Sequence, residues 1–157
     1  MPIGWLAKAD LPEAIRLVKR VFMEFEAPEY SQEGVENFPF LEPGNLAAML
    51  ESGELSFYGY YADGGLAGMI CMKGGNHICL LFVEKACHRR GIAAALFEEA
   101  KRHCPPGEET FTVHSSPYGV PVYSRWGFQA DGPGQVQDGI RFTPTTCRGE
   151  ADAAKEI

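Results

Sequence analysis

Apolar and polar positions along the chain keep two rhythms that change over at definite places. From Leu11 onward, Ile15, Val18, Phe22 and Phe25 recur at intervals of three and four, the spacing that lines one face of an α-helix. Asp10 stands where a cap belongs, and Pro12 falls in the first turn, where its missing N–H costs nothing. A short strand precedes this helix. Residues 31–51 read as two shorter helices broken at Pro39 and at Glu42-Pro43-Gly44, the second carrying Leu46, Met49 and Leu50 along one side. The rhythm then shortens. "LSFYGYYADGGLAGMICMKGGNHICLLFVE" alternates aromatic and branched residues between breaks at Asp63–Gly65 and Lys73–Asn76, which predicts three antiparallel strands joined by tight turns. A helix follows Gly91, with Ile92, Ala95, Leu96 and Ala100 as its packed stripe and an end at Pro105–Gly107. A strand over Thr110–His114 comes next, then a short helix with Pro121 in its first turn and a stop at Gly127. Two last strands within 128–142 complete the order β-α-α-β-β-β-α-β-α-β-β, a mixed α/β sheet.

Composition narrows what such a sheet can serve. At 157 residues with no Pro/Gly/Ser linker, the expected organisation is one domain over residues 1–147 and a charged, loosely held tail over 148–157. No apolar run approaches the roughly 20 residues that a membrane span needs. The stretch "MPIGWLAKAD" lacks a basic region followed by an apolar core, so the expected location is the cytoplasm. A net charge of −7 argues against general nucleic-acid binding, which needs a basic field, and favours a cationic or amine partner. Five scattered cysteines without a C-x-x-C pair argue against structural zinc, and no metal site is expected.

Chemistry concentrates in "CHRRGIAAALFEEAKRH", Cys87 to His103. Two arginines, a glycine and a helix start bring backbone N–H groups, a positive dipole end and side-chain charge to one place, which suits a diphosphate. A plain strand-to-helix turn accounts for the same residues. The G-K-[ST] ending of a P-loop and the three spaced glycines of a dinucleotide fold are both missing.

The run His88-Arg89-Arg90-Gly91-Ile92-Ala93 resembles the acyl-CoA signature of the GNAT superfamily of N-acyltransferases, [QR]-x-x-G-x-[GA]. "SPYGVPVYSRWGF" is similar to the second signature of that family, with Ser116, Gly119, Tyr123, Gly127 and Phe128 on its fixed positions. His88 replaces the usual glutamine or arginine, and Ser116 the usual asparagine. The resemblance runs from about residue 3 to 142 and implies a mostly antiparallel sheet of six to seven strands flanked by helices, with strands 4 and 5 splayed apart.

It also implies roles. Acetyl-CoA is the acyl donor. Its pantetheine arm lies in the splay against backbone groups at Leu81 and Val83, and its diphosphate on His88, Arg89, Arg90, Gly91, Ile92 and Ala93. Ser116 is a further ligand position. The Leu81 amide faces the thioester oxygen, a contact typically worth about 3 kcal/mol. Tyr123 matches the acid that protonates the departing thiolate; a packed core ring is its other reading. His77 stands where some members carry a glutamate base on the fourth strand, and a solvent-facing turn histidine is the alternative. His114 is a second choice of base. Phe38, Phe40, Tyr58 and Tyr60 either line an acceptor site or pack the core. Glu24, Glu26, Glu29, Glu33 and Glu36 either attract a cation or form a solvated face.

The resulting expectation is an acetyl-CoA-dependent N-acetyltransferase acting on a small-molecule or peptide amine in a ternary complex, with a homodimer as an option. A non-catalytic acyl-CoA sensor is the rival. A cysteine hydrolase using Cys79 or Cys87 with His77 or His114 lacks both a recognised spacing and a third orienting group.

Overall fold

The computed structural model describes residues 3–6, 8–21, 48, 51–62, 65–84, 87, 90–104, 110–115, 119–137 and 140–147. Within them the chain builds β1 (Ile3–Trp5), a 3-10 turn (Lys8–Asp10), α1 (Leu11–Val21), β2 (Leu55–Ala62), β3 (Gly65–Lys73), β4 (His77–Val83), α2 (Ile92–Arg102), β5 (Phe111–Ser115), α3 (Val120–Arg125), β6 (Gln129–Ala130), β7 (Gln135–Gln137) and β8 (Ile140–Cys147). The sheet order is β1-β2-β3-β4-β5-β8-β6, with β7 on β8. Every described neighbour pair is antiparallel except β4–β5, which the α2 crossover makes parallel. The mixed, mostly antiparallel sheet expected from the sequence is what forms, with eight strands where six to seven were expected.

Two apolar layers hold it. Leu11, Ala14, Ile15, Leu17, Val18 and Val21 of α1 pack with Met69, Cys71, Leu80 and Phe82 on one face. On the other, Ile92, Leu96, Phe97 and Ala100 of α2 pack with Tyr58, Ile70, Met72, Ile78, Phe111 and Val113. The α2 stripe takes Phe97 where the pattern suggested Ala95, which is only half-buried, because the large ring fills the space between β5 and α3. Phe97 meets Phe111, Trp126 and Phe128 at ring-centre distances of 5.4, 5.5 and 5.7 Å.

The turn between β3 and β4 runs through Gly74 and Gly75, at φ of 65° and 88°, a region that a Cβ makes costly. Pro121 lies in the first turn of α3, and Gly127 at φ 93° ends it. The closing segment differs from two strands: β6 and β7 are separate short pieces, both paired to a β8 that runs on to Cys147. Asp131–Gly134 turns the chain off the sheet between them. Of the two helices expected over 31–51, only Ala48 and Glu51 are described, and both are helical. Phe22, Phe25, the five glutamates and the tail over 148–157 lie outside the described residues.

Candidate active site

β4 and β5 pair over only two positions, His77↔Thr112 and Ile78↔Val113. Directly after them β4 bulges. Cys71 opposes Leu80 while Met72 opposes Ile78, so Cys79 is an extra residue without its own partner in β3. The burial pattern agrees, since Cys79 and Leu80 are consecutive and both pack on the α1 side. A bulge bends and twists its strand. Cys79 to Val83 therefore leave β5, and the splay expected between the fourth and fifth strands is present. Leu81, half-buried, and Val83, buried, lie on this diverging stretch with their side chains on the α2 face.

At the apex of the splay, alternation along both strands directs His77, Thr112 and His114 to the face opposite Ile78, Phe111 and Val113. His77 Nδ1 lies 2.7 Å from Thr112 Oγ1. The His114 ring stands edge-on to His77, 5.1 Å between centres, and stacks on Phe142 of β8 at 4.7 Å. Burial, followed by the electrostatic influence of His114 and of the Lys73 ammonium, lowers the His77 pKa below 6.5. The imidazole is thus neutral at pH 7 and able to accept a proton. His77 is a part-buried, bonded group and not a solvent-facing turn residue.

From the diverging end of β4 the chain turns toward α2. The Glu84 amide donates to Ala67 O at 2.8 Å and the Cys87 amide to Glu84 O at 2.9 Å. Gly91 then opens the helix at φ 75°, ψ 13°, and as the N-cap residue brings no side chain to cap it. Ala95 N makes the first backbone helix bond, to Gly91 O at 3.0 Å, so the amides of Ile92, Ala93 and Ala94 precede the ladder. Arg90 and Gly91 are exposed, Ala93 half-buried and Ile92 buried. A Cβ built on Gly91 meets nothing within 4 Å. A parted strand leading to a glycine-opened helix start fits an extended molecule with an anionic end, the shape of acetyl-CoA. His88, Arg89 and Ser116 lie outside the described residues.

Tyr123 is 8% exposed, its ring edge-on to Trp126 and Phe128 at 5.6 and 5.5 Å. Its carbonyl accepts from the Trp126 and Phe128 amides, both at 3.0 Å, so the end of α3 holds it rigidly. Tyr58 is buried in the α2-side core with Tyr60 packed beside it, the same core that holds Tyr123 and Val83. Cys79 packs toward the α1-side core, where its thiol bonds to that of Cys71 instead of a histidine. Burial pushes the Cys71 thiol up, and the bond from Cys71 lowers Cys79. Thr112 and Phe142 were missed from sequence. The T-x-H spacing of "FTVHS" was the available signal for Thr112, but its partner is 35 residues away.

Residues 26–148 match the family model described as an acetyltransferase (GNAT) domain. No curated protein sequence matches significantly. Among solved structures, the chain is similar to PaiA N-acetyltransferase from Thermoplasma acidophilum in complex with coenzyme A, with a TM-score of 0.74 and 21% identity, covering 94% of this chain and 99% of that one. It is similar to a variant of the spermidine N-acetyltransferase of Vibrio cholerae, with a TM-score of 0.68 and 13% identity over the whole of both chains. The ribosomal-protein-S18-alanine N-acetyltransferase of Escherichia coli aligns with a TM-score of 0.65 and 17% identity, over 93% and 92% of the two chains. At these identities the likeness is one of fold.

Proposed function

The chain belongs to the GNAT acetyltransferase family, and on that premise we propose that it moves an acetyl group from acetyl-CoA to a primary amine by direct attack in a ternary complex. One observation carries the reading: β4 leaves β5 after two pairs and its diverging end leads to a helix that starts at an exposed, left-handed Gly91. Acetyl-CoA supplies an activated acyl thioester. The chain supplies its seat. Leu81 and Val83 present backbone groups along the splay, and His88 to Ala93 hold the diphosphate with amides and with the charges of Arg89 and Arg90. Ser116 is the remaining polar contact.

The Leu81 amide stabilises negative charge developing on the thioester oxygen. His77, kept neutral by its burial and by the neighbouring His114 and Lys73, takes the proton that the amine must lose. The Tyr123 hydroxyl gives a proton to the departing sulfur, from a ring held in place by α3. A soluble thiol has a pKa near ~8.5, so a donor at that atom eases its departure at neutral pH. His114 adds electrostatic support to His77 and is not assigned a proton of its own.

Two acceptor classes come from the neighbours of similar fold, spermidine and an alanine of a ribosomal protein. The purified chain should be incubated with acetyl-CoA and spermidine, alanine-initiated peptide, amino acids or aminoglycosides, and the products weighed. One amine gaining an acetyl group, with equimolar free CoA, is the expected result. Tight CoA binding with no acetylated product from any amine would overturn the catalytic reading in favour of a sensor.

A further inference from the structure

The apex of the splay holds a bond that the reaction just described leaves unused. His77 and Thr112 face each other across the first of the two β4–β5 pairs, so the backbone register and the side-chain bond reinforce one another. A neutral imidazole has one N–H and one lone pair, and the bond made by one nitrogen decides which nitrogen carries the proton. If Nδ1 donates, Nε2 is left as the base. If Nδ1 accepts, Nε2 bears hydrogen and the ring cannot take a proton there.

We propose that Thr112 is a positioning residue: its hydroxyl oxygen accepts from His77 Nδ1–H and so keeps the Nε2 lone pair available. This rests on the reading of His77 as the base. The surroundings keep that ring neutral. His114 on β5 and Lys73 on β3 oppose a second proton on the ring, the Cys71 and Cys79 thiols share that face of the sheet, and Phe142 on β8 stacks His114 into its place. Thr112 itself is tied in by its amide, which donates to Asn76 O at 3.0 Å, one residue before His77. Burial and neighbours thus keep the ring neutral, and register and bond hold its Nδ1 against the one hydroxyl assigned to fix the tautomer.

The test reads that tautomer directly. The full chain carries 4 histidines, so two-bond proton–nitrogen correlations of the 15N-labelled protein at pH 7.5 are few, and loss of a signal in His77→Gln assigns His77. Wild type and Thr112→Ser should both show Nδ1–H, and near-isosteric Thr112→Val should lose it. In acetyl transfer to spermidine or an alanine-initiated peptide, Thr112→Val should lower kcat about tenfold with KM for acetyl-CoA unchanged, and Thr112→Ser should recover to within about twofold. In a His77→Gln background, Thr112→Val should have no further effect. A wild-type His77 protonated on Nε2, or a tautomer unchanged in Thr112→Val, would overturn the inference. A lost tautomer with undiminished kcat would sustain the positioning and remove His77 from the chemistry, so the two readings fail separately.

Discussion

Gly91→Ala separates what the α2 start does for the fold from what it does for a ligand. At φ 75° the glycine is left-handed, and a Cβ there costs about 1–2 kcal/mol even though it meets nothing within 4 Å. Gly53 provides an internal standard, because it has φ 82° and equally open space, at the turn before β2. Gly53→Ala and Gly91→Ala should therefore lose the same stability, within about 0.5 kcal/mol, in urea unfolding, with Tm lower by roughly 2–4 °C per kcal/mol. Binding should part them. A methyl group at the mouth of α2, on a backbone that now resists the left-handed conformation, disturbs the amides assigned to the diphosphate. Titration calorimetry should give a Kd for CoA at least about tenfold weaker in Gly91→Ala, or about 1.4 kcal/mol, and an unchanged Kd in Gly53→Ala. Equal Kd values in the two variants, at equal cost in stability, would refute the assignment of the diphosphate to this turn.

Tyr123→Phe should lower kcat about 100-fold, with KM for acetyl-CoA within about twofold of wild type in steady-state assays; full turnover would remove the acid role. His77 has a folded pKa below its unfolded 6.5, so it affects stability only as pH falls through 6.5, where the unfolded chain takes the proton first. The loss grows until the folded pKa is passed. Urea midpoints should thus decline more steeply below pH 6.5 in wild type than in His77→Gln, and identical slopes would contradict the burial argument. Phe97→Ala, which empties a site 4% exposed at the junction of α2, β5 and α3, should cost about 3–5 kcal/mol in urea unfolding; a loss below about 1 kcal/mol would show that the aromatic cluster does not hold these elements together.

What could be read in advance was local. Gly91 announced itself between two arginines and a helix-forming run, and its left-handed conformation follows from that position. Gly74, Gly75, Pro121 and Gly127 marked their turns and caps for the same reason. The bulge at Cys79 could not be read, because an extra residue in β4 has meaning only against its register with β3. The bond between His77 and Thr112 is hidden by the α2 crossover that lies between them in the chain. Tyr58 alternates like an acceptor-site residue, yet its face is set by which helix covers the sheet, and α2 covers it. Ala95 and Phe97 exchanged roles because helical spacing admits both, and ring volume decided between them. The family signatures therefore marked a glycine-opened helix start that local sequence can show, whereas the contacts of His77 join strands distant in sequence.

A crystal structure of the chain with CoA bound tests the central claim most directly. The account predicts the pantetheine arm between β4 and β5 against Leu81 and Val83, the diphosphate at the amides of Gly91 to Ala93, and the sulfur within reach of the Tyr123 hydroxyl. CoA lodged on another surface, with β4 and β5 left apart and the start of α2 untouched, would contradict it.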